Sequence, residues 1–286
     1  MNLEQFRSPW WQPGGHVQTI WSALYARRHL RGQTVSAWRR ERWETDDGDF
    51  IDVDFSSHAV PAAAPTLALF HGLEGSSASH YAQAMAHICE QRGWQLAVPH
   101  FRGCSGEANR LLRAYHSGDA ADVDWVLRSL RAHGDGPLLA MGVSLGGNAL
   151  ARWAGLQGRA AADVVSAAAV VCAPLDLVAG GVQLGKGLCR WLYTPMFMRT
   201  LVPKALGKWQ QSPGLFDKAR LQRARTLHEF DDVFTAPVHG FVDADDYWRK
   251  ASAKPLLKQV ALPMLLLNAR NDPFVPVHSL PTVADV

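Results

Sequence analysis

The five residues Gly142-Val143-Ser144-Leu145-Gly146 constrain this chain more than any others, because of what stands on either side of them. The apolar run Pro137 to Met141 precedes them and reads as a buried strand, while Asn148 to Leu156 follows with apolar residues at helical spacing. A Gly-x-Ser-x-Gly turn from strand to helix holds its serine in a strained backbone conformation and lifts the hydroxyl to the helix N-terminus. The glycines remove Cβ atoms that would collide with the adjoining strand and helix. Ser144 is therefore a candidate nucleophile, and the chain around it should be an α/β protein.

The same rhythm runs through most of the sequence. Short apolar runs at Thr66 to Phe70, Trp94 to Val98, Val164 to Cys172 and Leu262 to Leu267 read as further buried parallel strands. Tyr81 to Arg92 and Asp119 to Ala132 read as helices between them, the second with Asp119 and Asp122 near its positive N-terminal end. Ahead of these, Trp38 to Phe55 alternates apolar and polar residues about Asp47-Gly48, which predicts a β-hairpin. Residues 1–37, with Trp10, Trp11, Trp21 and a basic helical run from Ala26 to Arg31, are expected to form an N-terminal arm lying on the core. The rhythm breaks between Leu175 and about Lys250, and residues 176–250 are predicted to be a mostly helical cap over one end of the sheet. The core domain is thus residues 38–286, interrupted by that cap.

Composition narrows the class of partner. The 286 residues are 48% hydrophobic and 19% charged with a formal net charge of +3, which excludes a disordered chain and gives no reason to expect nucleic acid. No stretch reaches about 18 uninterrupted apolar residues, so no integral membrane segment is expected. Cys89, Cys104, Cys172 and Cys189 have neither zinc-site spacing nor the density of a disulfide scaffold, which suggests reduced thiols in the cytoplasm. Oligomeric state leaves no signature.

An acyl carbonyl attacked by Ser144 becomes an oxyanion and needs preorganised donors. The N–H of Leu145, next after the nucleophile, is one. The second is assigned to Leu73, in the segment Phe70 to Gly75 that follows an earlier strand. His71 is expected to support that loop rather than abstract protons. Serine triads on this architecture run Ser, acid, His, and Asp272, after the last apolar run, is the leading acid, with Asp176 second. The base is harder to place: only 14 residues follow Asp272, and their one histidine, His278, is close in sequence for that role. His71, His100 and His116 read as local hydrogen-bonding or gate residues. Cys104 lacks an elbow and a strongly basic neighbourhood and is set aside as a nucleophile. The chemistry requires no metal or organic cofactor.

Seven ordered motifs surround these residues: PWWQPGGHVQTI from Pro9, FHGLEGSS from Phe70, FRGCSGE from Phe101, YHSGDAADV from Tyr115, GVSLGGN from Gly142, FDDVFTAPVHGFVDADDYW from Phe230 and LNARNDPFVP from Leu267. Together they resemble the YheT-like family of α/β-hydrolases, carboxylesterases related to the animal abhydrolase-domain lipases. The resemblance implies an α/β-hydrolase fold with a mostly parallel central sheet, flanking helices and a helical cap. It also implies a serine hydrolase acting on short- to medium-chain acyl esters through a Ser-Asp-His relay, with Ser144 and Asp272 on the nucleophile and acid positions. The family's histidine lies in a Gly-Gly-His segment after the last strand, and the sequence stops at Val286 before one. The expectation is that the last strand, the last helix and the base are missing, through truncation, a frameshift or loss of the base. The strand around Leu265 would then be an apolar sheet edge. The alternative reading is a catalytically inactive α/β-hydrolase scaffold that binds a small hydrophobic ligand or a protein partner.

Overall fold

A computed structural model describes residues 7–29 and 37–286. After helix α1 (Gly14–His29), strands β1 (Trp38–Glu44) and β2 (Phe50–Ser56) form the hairpin about Asp47-Gly48, with Gly48 at φ 84. The rest of the Ala26 to Arg31 run, beyond His29, lies outside the described residues. Then β3 (Thr66–Phe70), α2 (His80–Arg92), β4 (Gln95–Pro99), α3 (Ala120–His133), β5 (Leu138–Val143), α4 (Leu145–Gln157), α5 (Ala161–Val164) and β6 (Ala167–Val171) alternate. The sheet closes with β7 (Met264–Leu267), and its strand order is β1-β2-β4-β3-β5-β6-β7. β1, β2 and β4 pair antiparallel, and every pairing from β4 through β3, β5 and β6 to β7 is parallel.

Among the boundaries that differ from the sequence reading, Val164, expected to begin a strand, ends the helical turn α5, and the strand starts at Ala167. A short apolar run is equally compatible with a buried helix and a buried strand, so its composition does not fix the transition. The burial of β2 needs a separate account. The strand alternates apolar and polar residues, yet the whole of it is buried. Asp52 receives two hydrogen bonds from Arg42, and Asp54 receives two from Arg40 and one each from His100 and Ser77. Burial alone would raise the Asp54 carboxyl, but these donors hold it well below the usual carboxylate range.

The apolar cores explain the layering. Trp153 of α4 and Val126 and Leu127 of α3 are buried against β3 and β5, and Ala82, Ala86 and Cys89 of α2 pack with Leu67, Leu69, Leu96 and Val98. Between β6 and β7 the chain forms α6 (Leu177–Leu184), α7 (Gly187–Leu192), α8 (Thr194–Gln211), α9 (Lys218–Arg223), α10 (Leu227–Phe230), α11 (Ala236–His239) and α12 (Ala244–Ala251), with a π-helical segment over Asp231–Thr235. This excursion has its own apolar core, in which Met198, Leu201, Phe216, Leu221, Phe230 and Phe234 are buried, and Leu73 of the main domain packs against it.

Candidate active site

Ser144 sits between β5 and α4 at φ 53, a left-handed conformation that a side chain takes up only when its surroundings enforce it. The sequence around it permits nothing looser. A Cβ on Gly142 would lie 2.5 Å from the Gly146 carbonyl oxygen, and one on Gly146 would lie 2.4 Å from the Phe70 carbonyl oxygen. The Ser144 N–H donates to Val171 O of β6 at 2.9 Å, while its carbonyl accepts from Gly147 and Asn148 in the first turn of α4. Asn148 is fully buried and ties that helix in place: its amide donates to Ser117 O and Ala251 O, and its carbonyl accepts from Ala253 N–H at 3.0 Å.

The loop after β3 runs alongside. A Cβ on Gly72 would come within 3.2 Å of the Ser144 Cβ, so glycine is what lets this loop approach the serine. Gly72 N–H donates to the Tyr81 hydroxyl at 2.9 Å; the peptide before Leu73 is held through the Gly72 carbonyl, which accepts from Gly75 N–H at 2.9 Å, and the peptide after it through Glu74 N–H, which donates to the Tyr115 hydroxyl at 3.0 Å. Leu145 is the first residue of α4, where backbone N–H groups have no intrahelical partner. His71 is buried beneath the loop, its Nε2 accepting from Phe101 N–H and its Nδ1 therefore donating to Gly72 O at 2.8 Å. Burial lowers its pKa to about 3, so it stays neutral.

Asp272 follows β7 in a turn where its carboxylate accepts from Phe274 N–H at 2.8 Å. Burial nevertheless raises its pKa. Asp176 serves elsewhere, its carboxylate capping α6 by accepting from Ala179 N–H at 3.0 Å. Ser144, Leu145, Leu73 and Asp272 all line one cavity of about 1080 Å³, roofed by cap residues that include Leu201 and Phe230 and bordered by α1. The arm is held there at two points, by His16 Nδ1 to the Tyr193 hydroxyl at 3.1 Å and by Asn271 Nδ2 to Gln18 Oε1 at 3.1 Å.

Of the histidines weighed from sequence, only His116 borders the cavity. Its Nδ1 accepts from Gly118 N–H at 3.1 Å, so the ring proton is on Nε2 and no lone pair is left for a serine proton. Burial and the neighbouring His239 keep it neutral. His100 is buried with Nε2 on Asp54, and His278 is exposed on a turn spanning Val277–Ser279. Cys104 does have a basic neighbour, Lys204 Nζ at 3.7 Å, which sequence reading missed because 100 residues separate them. Burial still pushes the thiol up to about 12. Sequence reading also missed Tyr115 and Asn148, which touch the site through backbone groups distant in the chain and carry no local signature. Among the described residues no cluster of three His, Cys, Asp or Glu side chains could hold a metal ion.

A strained serine at a strand-to-helix elbow on a mostly parallel sheet, below a helical cap, defines the class, and comparison with known proteins agrees. The family model described as the alpha/beta hydrolase fold matches residues 65–285. The putative esterase YheT of Escherichia coli is 41% identical over 93% of this chain and 77% of its own, and phospholipase ABHD3 of Bos taurus is 30% identical over 93% of this chain and 67% of its own. The Pyrococcus furiosus esterase Pf2001 shares the fold with a TM-score of 0.51 at 13% identity, over 85% of this chain and 75% of that one. The chain belongs to the YheT-like family of α/β-hydrolases.

Proposed function

We propose that the protein is a serine carboxylesterase that cleaves short- to medium-chain acyl esters, with Ser144 as nucleophile, the N–H groups of Leu73 and Leu145 as oxyanion donors and Asp272 as the acid that orients a histidine base. The observation that carries this reading is the convergence of all four residues on one large cavity beneath the cap. In the reaction the Ser144 oxygen bonds to the acyl carbon as its proton passes to the base, the alcohol leaves with that proton, and water releases the acid by the same route. The similarity to a putative esterase and to a phospholipase supports ester cleavage. The organisation that goes with it is an arm over residues 1–37 and a hydrolase domain interrupted by a cap at about 176–250. The free state of all four cysteines favours a reducing, cytoplasmic setting.

Turnover of a p-nitrophenyl ester series by the native chain and by Ser144→Ala, with fluorophosphonate labelling of both, tests the assignment. Serine-dependent turnover and labelling are the expected result. A second reading, an inactive scaffold that binds a small hydrophobic ligand, draws on the engaged Nδ1 of His116 and the exposed position of His278. A folded native chain that neither labels nor turns over any ester, yet binds a fatty acid in the cavity, would establish that reading instead.

A further inference from the structure

The rim of the cavity carries a surface that ester cleavage does not account for. On α7, Leu188, Trp191 and Leu192 stand at i, i+3 and i+4 and so share one face, while Cys189 points into the protein. That face is open to solvent, with Leu188 66% and Trp191 79% exposed, and Met196 at the start of α8 extends it. Across the Tyr193–His16 contact, α1 adds exposed Leu24. Leu24, Leu192 and Met196 are exposed and also line the cavity, so the cavity opens into this apolar patch.

The charge around the patch is one-sided. From Leu177 to Phe216 there is no Asp or Glu, but there are Lys186, Arg190, Arg199, Lys204 and Lys208, and the stretch from Arg7 to His29 likewise has basic residues and no acidic one. Of these, Lys204 is paired with Glu74 and Lys208 is buried, which leaves three cations of the 177–216 stretch for the surface. Lys186, Arg190 and Arg199 are exposed beside the apolar face. No helix among the described residues is long and apolar enough to cross a membrane. Exposed Trp and Leu flanked by Arg and Lys, with no carboxylates, is the composition of an element that lies in the interface of an anionic bilayer.

We propose that α7, the start of α8 and the adjoining edge of α1 dock the protein on an anionic lipid surface, so that apolar molecules enter the cavity from the bilayer without crossing water. This goes beyond the esterase assignment and does not depend on it, because docking requires no turnover.

Co-sedimentation of the full chain with phosphatidylcholine vesicles, with and without phosphatidylglycerol, tests it. The chain should pellet with the anionic vesicles, less so as salt rises. Trp191→Glu should lower the partition coefficient about tenfold and Arg190→Gln about fivefold. Ser144→Ala should pellet like the native chain, and Trp191→Glu should turn over a soluble ester like the native chain, which shows that it is folded. Leu188→Glu is a second variant and should repeat the loss. Failure of the native chain to pellet, equal partition to neutral vesicles, or native partition by both Trp191→Glu and Leu188→Glu would overturn the proposal. Pelleting without any ester turnover would support docking while sinking the esterase reading.

Discussion

The Tyr115 hydroxyl works in two directions, accepting the Glu74 N–H and donating to the Glu74 carboxylate at 2.7 Å. Glu74 is itself held at φ 57, and Lys204 of the cap reaches the same carboxylate at 2.8 Å. The peptide that follows Leu73, next to the one that presents its N–H, is thus fixed by a side chain from a different part of the chain. Tyr115→Phe should cost about 1–3 kcal/mol in stability, because the Glu74 N–H loses its partner. It should also lower kcat more than KM, since an oxyanion donor acts mainly in the transition state. Denaturant melts and steady-state kinetics read both effects, and an unchanged kcat would uncouple Glu74 from the oxyanion loop. Asp272→Asn belongs at this scale too: it should lower kcat by about 10⁴ if the carboxylate sets the tautomer of a base, and leave it untouched if the Asp272 hydrogen bonds serve only the turn. Ser144 was legible in the sequence because its signal is contained in five adjacent residues. Tyr115 was not, because its partner is 41 residues away and a tyrosine has no pattern of its own.

At the scale of elements, the elbow is a packing device as much as a catalytic one. Gly146→Ala places a methyl group 2.4 and 2.5 Å from the carbonyl oxygens of Phe70 and His71, and backbone cannot move aside as a flexible side chain would. The expected cost is about 3 kcal/mol or more, read as a lowered melting temperature together with lost fluorophosphonate labelling. The π-helical segment illustrates a different constraint. Asp231 there accepts from Trp248 Nε1 at 2.8 Å and from the Thr235 hydroxyl at 2.6 Å, yet desolvation raises its pKa from 3.8 to about 6. A carboxyl whose pKa rises on folding favours the native state fully below its unfolded value and loses that contribution as pH climbs through the folded one. Between pH 3.8 and about 6, then, the melting temperature of the native chain should fall relative to that of Asp231→Asn as pH rises. A constant difference between the two across that range would show that Asp231 does not titrate there. The strands and α2 to α4 could be read in advance because burial on a sheet imposes a strict pattern. The cap could be recognised only as a break in rhythm, since its helices, most of them short, face one another as well as the core and follow no single period.

For the molecule as a whole, the mostly parallel order and the elbow follow from sequence, whereas the burial of β2 and the position of α1 at the cavity mouth depend on contacts that no local pattern encodes. The edge at β7 lies between these cases. Among the described strands β7 pairs only with β6, and its residues alternate: Met264 and Leu266 pack on the main core, while Leu265 and Leu267 are 54% and 38% exposed. An apolar strand with one row of backbone groups unpaired by another described strand is a template for pairing between copies. Natural sheets blunt such edges with charge, and Lys is suited to this because it adds charge without removing a backbone donor. Leu265→Lys leaves the inward contacts of Met264 and Leu266 in place, so the melting temperature should hardly change. Concentration-dependent light scattering should fall markedly, and more than for a Lys placed at exposed Leu156 on α4, far from any strand edge in sequence. If both variants scatter like the native chain, association does not run through β7, and the cavity rim with Trp191 becomes the surface to charge next.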